Sequence, residues 1–504
     1  MKEKSESSTM EESPPTPMNP FATPGATPGV QTPVNPFATP IGVTPAASIL
    51  SRRPGVSRAV SGHNVAGSVS GSYVGSRLSA ESHVGPRRRF RSSRLVGDFE
   101  KPWLNSGKRE INWDSIIFYT CIAIGLGIGG FLCWKETQGV PNHDYCLIMD
   151  DQFQNMDNWN HEVQMNGFGT GSFDWTTSDE ANSYVDAEGL HIVPTLTTET
   201  TNITPDQLVN GYKVNMTTDA EKWGKCTSDE DSIADDQHPH DVRYPCASVS
   251  NSTKGQIINP VRSARLNTKG KKTIRYGRVE VTARMPKGDW LWPAIWMMPQ
   301  DNVYGEWPKS GEIDIAESRG NDARTYSMGD NIVSSALHWG TATANDRWRM
   351  SKGEWGGQRV RYSEKFHTYG LEWSEKYLFT WLDGRLRQVL FFDFPKSKNL
   401  WTYGEFAGES VNGSVPVDPW SGTGRPNTPF DQDFFLILNV AVGGTNGWFP
   451  DAMGGKPWSD SSETPMRDFW KSNSTWLPSW GPKEERGMVI KSVKMWQQGK
   501  CSSS

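Results

Sequence analysis

Three features are scarce in this sequence, and each absence narrows the class of protein. The net charge is small: the chain has 52 basic and 57 acidic residues, which gives a formal charge of −5. This charge balance gives no overall reason to expect nucleic-acid binding. Long hydrophobic runs are scarce, since only one charge-free run is long enough to cross a membrane. Long amphipathic helical patterns are missing after Pro141, which argues against a parallel α/β sheet.

The first part of the chain, residues 1–110, is poor in large apolar residues and rich in Ser, Thr, Pro and Gly. It shows no persistent helical or strand period, so we predict a disordered cytosolic tail. An Asn-Pro-Phe segment occurs in it twice, at residues 19–24 and 35–40. These segments are either Pro-rich low-complexity sequence or resemble the peptides that endocytic adaptor domains bind, and the sequence leaves both interpretations open.

Residues 115–134 form the one long hydrophobic run, with twenty residues and no charge. At about 1.5 Å per residue, a helix of this length spans about 30 Å, the thickness of a bilayer core. Trp113, Tyr119 and Trp134 stand where interfacial aromatic residues are common. A soluble helix normally has a polar face and this run has none, so we predict one transmembrane signal-anchor helix.

The flanks of this run predict its orientation. Basic residues such as Lys108 and Arg109 precede it, whereas only Lys135 follows closely, so the positive-inside rule places the tail in the cytosol. The N-glycosylation sequons all follow the run, at Asn202, Asn215, Asn251, Asn412 and Asn473. We therefore predict a single-pass type II membrane protein whose larger part faces the lumen or the outside, in the Golgi, plasma membrane or cell wall.

The cysteines divide in the same way. Two lie within the hydrophobic run, and four follow it, at Cys146, Cys226, Cys246 and Cys501. Four cysteines allow three disulfide pairings. Among them we favour a local Cys226–Cys246 loop and a Cys146–Cys501 link that joins the ends of the outer domain.

Short strands dominate the sequence from residue 145 to residue 501. Apolar and polar residues alternate in segments such as 277–284, and turn residues such as Asp383-Gly384 separate the segments. Strands without alternating helices predict an all-β, antiparallel sandwich. About 350 residues is large for one sandwich, so we expect long inserted loops, where binding residues usually lie.

One segment, residues 310–318, carries most of the chemical information, because it contains Glu312, Asp314 and Glu317. Strand alternation places the first two on one face, and a one-residue β-bulge near Ala316 returns Glu317 to that face. From backbones about 13 Å apart, the two glutamates can bring their carboxyl groups near the roughly 5–5.5 Å of a retaining glycosidase. Crowded acids raise at least one pKa, which favours acid–base chemistry over a solvated acidic strand face.

Tryptophan is abundant, with 23 residues against 13 tyrosines, and several stand close to this segment. Flat indole faces beside carboxylates suit sugar rings, whose C–H faces stack on aromatic rings while their hydroxyls form hydrogen bonds. Many of these tryptophans must belong to the core instead. The candidates for sugar contact near the acids are Trp292, Trp296, Trp307 and Trp339.

Several blocks of the sequence resemble glycoside hydrolase family 16, and more closely its laminarinase branch and the related invertebrate β-1,3-glucan recognition proteins. The blocks occur in order at residues 277–281, 288–296, 311–321, 337–340, 366–373 and 439–447. The resemblance covers about residues 145–498 and implies a jelly-roll β-sandwich with a substrate cleft across its concave face. The recognition proteins often lack the glutamates, whereas this chain has all three acids, which favours an enzyme.

The resemblance also implies roles for individual residues. Glu312 corresponds to the nucleophile, Glu317 to the general acid and base, and Asp314 to the residue that hydrogen-bonds the nucleophile and tunes the proton affinities. Positions that line such clefts are matched by His338, Trp307, Trp339, Asn439 and Trp448. No cofactor is implied; some relatives hold a calcium ion on the outer face, but the sequence shows no convincing ligand cluster for a metal.

The resulting hypothesis is a retaining glycosidase that cleaves β-1,3-glucan or mixed β-1,3/1,4-glucan. Two alternatives stay open: a β-glucan transglycosylase acting in β-1,3- or β-1,6-glucan assembly, and a non-catalytic β-glucan receptor that signals through the tail. The anchor is similar to that of fungal wall-building proteins of the same superfamily, which are type II proteins implicated in β-1,6-glucan assembly. Anchoring therefore favours remodelling of a fungal cell wall.

Overall fold

The computed structural model describes residues 93–94, 96–104, 111–139, 143–228, 244–394, 398–411 and 413–501. Most of the predicted tail, including both Asn-Pro-Phe segments, lies outside the described residues, so the tail stays a prediction. The sequon at Asn412 lies outside them as well. The chain divides into two compact units, one spanning residues 27–141 and one that includes residues 142–504, and each is described by itself.

In its described residues, the smaller unit contains one long helix, α1 (Trp113–Gly139), which follows a short 3-10 turn at Pro102–Leu104. Its segment Trp113–Lys135 is long and apolar enough to cross a membrane, judged by length and composition. The predicted span of residues 115–134 lies inside this segment. The helix is therefore confirmed, whereas its place in a membrane stays a prediction.

The larger unit is built mainly from strands. In its described residues these are, in chain order, β1 (Tyr145–Asp151), β2 (Asn160–His161), β3 (Asp174–Thr176), β4 (Ser183–Asp186), β5 (Gly189–Ile192), β6 (Thr195–Leu196), β7 (Lys213–Asn215), β8 (Ala247–Val249), β9 (Val261–Ser263), β10 (Arg265–Asn267), β11 (Thr273–Ile274), β12 (Gly277–Arg284), β13 (Leu291–Pro299), β14 (Glu312–Glu317), β15 (Ile332–His338), β16 (Lys352–Gly356), β17 (His367–Trp373), β18 (Tyr377–Leu382), β19 (Gln388–Asp393), β20 (Phe434–Val442) and β21 (Met488–Gln498).

The helices of this unit are short. They are α2 (Thr197–Thr200), α3 (Pro205–Val209), α4 (Ala220–Trp223), α5 (Leu400–Tyr403), α6 (Pro465–Lys471), α7 (Asn473–Trp476) and α8 (Lys483–Arg486). Turns of 3-10 helix occur at Gly167–Gly169, Thr343–Asn345, Trp348–Met350, Phe406–Gly408 and Leu477–Ser479. The prediction of strands without long helices is confirmed for the described part of this unit.

Two large antiparallel sheets form the sandwich. The outer sheet has the strand order β19-β18-β17-β12-β21-β5-β4, with β1 also paired to β21. The inner sheet, which carries the three predicted acids, has the order β16-β15-β14-β13-β20-β10-β2, with β11 also paired to β20. The predicted antiparallel jelly-roll sandwich is confirmed; β3 and β9 form one parallel pair in a small third sheet.

Period-two patterning explains how the sheets pack. On β12, Val279, Val281 and Ala283 are fully buried, whereas the intervening residues of the strand are partly exposed. Successive side chains of a strand point to opposite faces, so this alternation places one face of the outer sheet against the core. β13, β14 and β20 are buried almost throughout, because they lie at the centre of the inner sheet.

Both favoured disulfides are present. Cys146 on β1 bonds to Cys501, after β21, and so links the two ends of the unit. Cys226 bonds to Cys246 across 20 positions, beside a second apolar cluster that is separate from the main core. The members of this smaller cluster are Val163, Met165, Trp175, Ile203, Leu208, Val214, Met216, Trp223, Ile257 and Ile258.

The described sequon asparagines all lie at the surface. Asn202 is exposed, and Asn215, Asn251 and Asn473 are partly exposed. Oligosaccharide transfer needs an accessible asparagine, and these positions satisfy that requirement. Glycosylation itself stays a prediction.

Candidate active site

A β-bulge in β14 brings the three acids to one face. Asp314 lies opposite Trp296 of β13, and Ala316 lies opposite the adjacent Ile295, so two steps along β14 match one step along β13. The pairing of β14 with β15 shifts between Asp314 and Glu317 as well. The extra residue restores Glu317 to the face of Glu312, which confirms the predicted bulge.

The acids form part of the floor of a cleft on the inner sheet, with a volume of about 1440 Å³. Glu312 and Asp314 are buried, and Glu317 is partly exposed. Ile313 and Ile315, which alternate with the acids, are almost completely buried in the main core and anchor the strand. The core therefore holds the backbone of β14 while its acids face the cleft.

Each glutamate accepts a hydrogen bond from a different indole N–H. Trp307 Nε1 donates to Glu312 Oε2 at 2.5 Å, and Trp292 Nε1 donates to Glu317 Oε1 at 2.9 Å. The Trp292 ring stacks on Trp448, with ring centroids 5.0 Å apart and planes 14° from parallel. These contacts fix the two carboxyl groups separately, so the glutamates have different surroundings.

Arg319 supports this arrangement from the next turn of the chain after β14. Its guanidinium lies 3.8 Å from the centre of the Trp448 ring and donates to the Trp448 carbonyl oxygen at 2.6 Å. A cation over an indole face is attracted by the ring, and most strongly where water is excluded. The resulting stack of Arg319, Trp448 and Trp292 leads to the Glu317 carboxyl group.

His338 lies between two carboxylates. Its Nε2 is 3.2 Å from Asp314 Oδ2, and its Nδ1 is 2.5 Å from Asp346 Oδ2. The ring packs against Trp307 and Trp348, with centroid distances of 5.7 and 6.2 Å. Burial alone lowers the pKa of a histidine, but here Asp346, Glu312 and Asp314 outweigh burial and raise the pKa of His338 well above its usual value.

Burial raises the pKa of all three acids of β14. It raises the pKa of Glu317 to about 7, against the opposing effects of the Trp292 N–H and His338. Burial and the neighbouring Asp314 raise the pKa of Glu312, and burial and the neighbouring Glu317 raise that of Asp314. Glu317 is therefore poised to carry a proton near neutral pH, as a general acid requires.

The same cluster has some of the geometry of a metal site. Glu312, Asp314 and His338 each offer one potential ligand atom, and these atoms lie within 4.8 Å of one another. A histidine ligand must be neutral, yet both ring nitrogens of His338 face carboxylate oxygens, which favours protonation of both. The donor set suits proton sharing, and we assign no metal to it. The expectation that no cofactor is needed stays a prediction, and so does the structural calcium ion that the family resemblance allows on the outer face.

Most of the predicted sugar-contact residues lie where the prediction requires. Of the predicted residues, those that line the cleft are Trp292, Trp296, Trp307, His338, Asn439 and Trp448. Trp296 is held in place by a 2.7 Å hydrogen bond from its Nε1 to Asn439 Oδ1. Their contact with a sugar stays a prediction, but their position in the cleft does not.

The assignment of Trp339 to the cleft is wrong. Its neighbour His338 points into the cleft, so the alternation of side chains at the end of β15 turns Trp339 into the core, where it is 0% exposed. Its Nε1 donates to Ser351 Oγ at 2.9 Å, and its ring packs against Phe406 and Trp420. The indole is satisfied there and cannot reach a ligand.

Sequence reasoning missed several residues of the cleft. They are Phe168, Arg265, Arg319, Asp346 and Trp348. The Arg265 guanidinium lies 4.0 Å from the Phe168 ring centre and 4.7 Å from that of Trp296, although its strand is far from β14 in sequence. Asp346 lies on an irregular loop with no periodic pattern. In the sequence, the one feature that pointed to this part of the cleft was the aromatic residue Trp348, which follows soon after the block at residues 337–340.

Comparisons with known proteins agree with this architecture. The family model described as glycosyl hydrolases family 16 matches residues 247–399. The chain is 37% identical over 365 residues to a β-1,3-glucan-binding protein from Penaeus monodon, covering 70% of this chain and 90% of that protein. It is 36% identical over 228 residues to a glucan endo-1,3-β-glucosidase from Cryptopygus antarcticus, covering 44% of this chain and 67% of that protein.

Among solved structures, the laminarinase from Rhodothermus marinus is similar at 22% identity with a TM-score of 0.41, over 71% of this chain and 100% of that chain. Family membership depends instead on the sequence relatives, which align over most of their own length, and on the family model. On these matches, the chain belongs to glycosyl hydrolase family 16.

Proposed function

We propose that this protein is a retaining β-glucanase that cleaves β-1,3-glucan or mixed β-1,3/1,4-glucan. The observation that carries the proposal is the bulged strand β14, which presents Glu312, Asp314 and Glu317 together on the floor of an aromatic cleft. A surface used only for binding has no need of buried acids with raised pKa values, because unneutralised buried charge is costly.

In the proposed mechanism, the Glu312 carboxylate attacks the anomeric carbon and the bond to the leaving-group oxygen breaks. Glu317 gives its proton to that oxygen, so the sugar product leaves as a neutral alcohol. Glu317, now a carboxylate, then takes a proton from a water molecule whose oxygen attacks the anomeric carbon and releases Glu312. The pKa of about 7 suits Glu317 to both proton transfers.

The substrate class is supported by the relatives and by the cleft. One relative is named a β-1,3-glucan-binding protein and another a glucan endo-1,3-β-glucosidase. The cleft offers indoles on both sides of the acids, with Trp292 near Glu317 and Trp307 near Glu312. Aromatic faces on both sides of the reacting bond favour an enzyme that cuts inside a polysaccharide.

Two alternatives use the same cleft. A sugar hydroxyl in place of water as the second acceptor gives a β-glucan transglycosylase in wall assembly. A cleft that binds glucan without turnover gives a receptor, which is favoured by the name of the Penaeus monodon relative. The intact set of three acids favours catalysis over binding alone.

We further propose that α1 anchors the protein as a type II membrane protein with the sandwich outside the cytosol, in a fungal cell-wall context. The length and composition of the helix support a membrane span, and the basic residues before it and the sequons after it support this orientation. The Asn-Pro-Phe segments then lie in the cytosol, where endocytic adaptors act.

The full chain in detergent, incubated with a linear β-1,3-gluco-oligosaccharide of defined length, tests the proposed activity. Shorter products are expected by mass spectrometry, and Glu312→Gln should remove them. Glu280→Gln is the matched control, because it makes the same chemical change on the outer sheet, and it should retain activity.

Products longer than the substrate would establish the transglycosylase instead. Tight binding without any product, from a protein whose thermal unfolding is cooperative, would establish the receptor. Equal activity in wild type and Glu312→Gln would overturn the assignment of the nucleophile.

A further inference from the structure

Asp346 is built into the wall of the cleft but has no role in the mechanism above. Its side chain is 6% exposed, and it divides its two oxygens between two tasks. Oδ1 accepts the backbone N–H groups of Trp339 and Trp348, at 3.1 and 3.2 Å. Oδ2 faces His338 Nδ1 at 2.5 Å. The carboxylate is therefore held by the backbone on one side and presented to the imidazole on the other.

The loop that carries Asp346 is tightly closed. Asn345 Oδ1 accepts the N–H groups of Thr341 and Ala342, and the Arg347 N–H donates to the Trp339 carbonyl oxygen at 2.9 Å. A loop with its backbone groups satisfied in this way holds a side chain with little freedom. Asp346 is consequently positioned by the fold and needs no ligand to order it.

The charged groups around His338 are mainly negative. Glu312 and Asp314 face it from β14, and Asp346 faces it from the loop. On the far side of the described aromatic contacts, the charges of Arg349 and Lys352 lie 4.7 and 5.4 Å from the centre of the Trp348 ring, which itself packs against His338. A protonated imidazole here has an acidic partner at each nitrogen, which stabilises the cation despite its burial.

We propose that Asp346 is a positioning residue that acts through His338, holding a buried positive charge beside Asp314 and Glu312, which favours the ionised form of the nucleophile. The proposal depends on the proposed glycosidase function for its kinetic consequence, but the charge of His338 is measurable without it. Three crowded acids alone would retain a proton to a higher pH, and the nearby cation offsets that effect.

Asp346→Asn tests the proposal. The asparagine oxygen can still accept the two backbone N–H groups, but its amide presents N–H donors to Nδ1, so His338 is left neutral. We expect the fall of kcat/KM at low pH, the acidic limb of its pH profile, to move to higher pH by at least about one unit. At a fixed pH on that limb, kcat/KM is then about tenfold lower than in wild type.

Two further readouts separate this role from a merely structural one. With an aryl glycoside whose leaving group needs no proton, Glu317→Ala should recover activity while Asp346→Asn stays slow, because Asp346 serves the nucleophile. By NMR of histidine-labelled full chain in detergent, the ring nitrogens of His338, assigned from their loss in His338→Gln, should titrate at a lower pH in Asp346→Asn than in wild type.

Asp383→Asn is the matched control. Asp383 makes the same kind of pair on the outer sheet, with Oδ2 2.9 Å from His367 Nδ1 and Oδ1 accepting the Thr368 N–H at 3.2 Å. This variant should leave the acidic limb in place. If Asp346→Asn does not fold, His338→Gln removes the same positive charge and should shift the acidic limb in the same direction.

An unchanged His338 titration in Asp346→Asn would overturn the proposal, and so would an equal shift of the limb in Asp383→Asn. A wild-type protein without glucanase activity would contradict the proposed function alone, since the NMR titration still reports the charge of His338.

Discussion

At the scale of single residues, the two glutamates differ mainly in what surrounds them. Glu312 is close to Asp314 and His338, whereas Glu317 is fixed by the Trp292 N–H beneath the Trp448 ring. The neighbours of each glutamate distinguish the two, and not a low pKa of Glu312, because burial raises the pKa of both carboxyl groups. The residue types and their spacing were readable from the sequence, because alternation and one bulge suffice to place them.

The Trp292 hydrogen bond leads to a pH prediction. The N–H stabilises the charged carboxylate, so its removal in Trp292→Phe should raise the pKa of Glu317 above about 7. Activity needs Glu317 protonated and is lost as pH rises through this pKa. The alkaline limb of kcat/KM should therefore lie near pH 7 in wild type and at higher pH in the variant, even where the maximal rate falls.

Trp339→Phe is the control for that measurement, because it removes an indole N–H that bonds to Ser351 in the core. Its alkaline limb should match that of wild type. A limb that moves downward in Trp292→Phe, or that lies at the same pH in all three proteins, would contradict the assignment of Glu317 as the acid.

At the scale of elements, site residues within a single strand could be placed from the sequence by the alternation of side chains. Site residues on an irregular loop could not. The bulge near Ala316 was predictable, since alternation without it sends Glu317 to the core. Trp339 was misplaced because a motif match was given more weight than the alternation beside His338. Asp346 was not predictable, because its position depends on backbone bonds within an irregular loop.

The Cys226–Cys246 disulfide allows a test of the second apolar cluster. Replacing both cysteines by serine removes a cross-link that spans 20 positions, and such links typically stabilise a fold by about 2–4 kcal/mol. We expect faster limited proteolysis between residues 197 and 258, with hydrolysis of a short substrate retained, because β14 belongs to the main core. Cys121→Ser is the matched control, since this cysteine lies in α1 without a disulfide. Cleavage that begins at β14 instead would contradict the independence of the two clusters.

At the scale of the whole molecule, the antiparallel sandwich and both disulfide pairs were predictable from period-two patterning and from the positions of four cysteines. The strand order was not, because β12 pairs with β17 and β21, which lie far along the chain. The separate small cluster was not predictable either, since its residues are scattered over nearly one hundred positions without a common period.

The proposed orientation has a direct test in sealed membrane vesicles from a eukaryotic host. We expect the sandwich to resist added protease until detergent is present, because it lies in the lumen. Endoglycosidase should lower the apparent mass, and Asn202→Gln, at an exposed sequon, should remove one step of that change. If added protease digests the sandwich in intact vesicles and no sequon carries a glycan, the sandwich faces the cytosol and the proposed orientation is wrong.

Covalent trapping of the nucleophile is the most direct test of the proposed retaining mechanism. A β-1,3-gluco-oligosaccharide with fluorine at C2 and a good leaving group at C1 forms the glycosyl-enzyme but slows its breakdown, because the fluorine destabilises the positive charge of both transition states. We expect one added oligosaccharide per chain, on Glu312 by peptide mapping, and none in Glu312→Gln. A protein that turns over unmodified β-1,3-glucan yet gives no adduct, or an adduct on another residue, would contradict this mechanism.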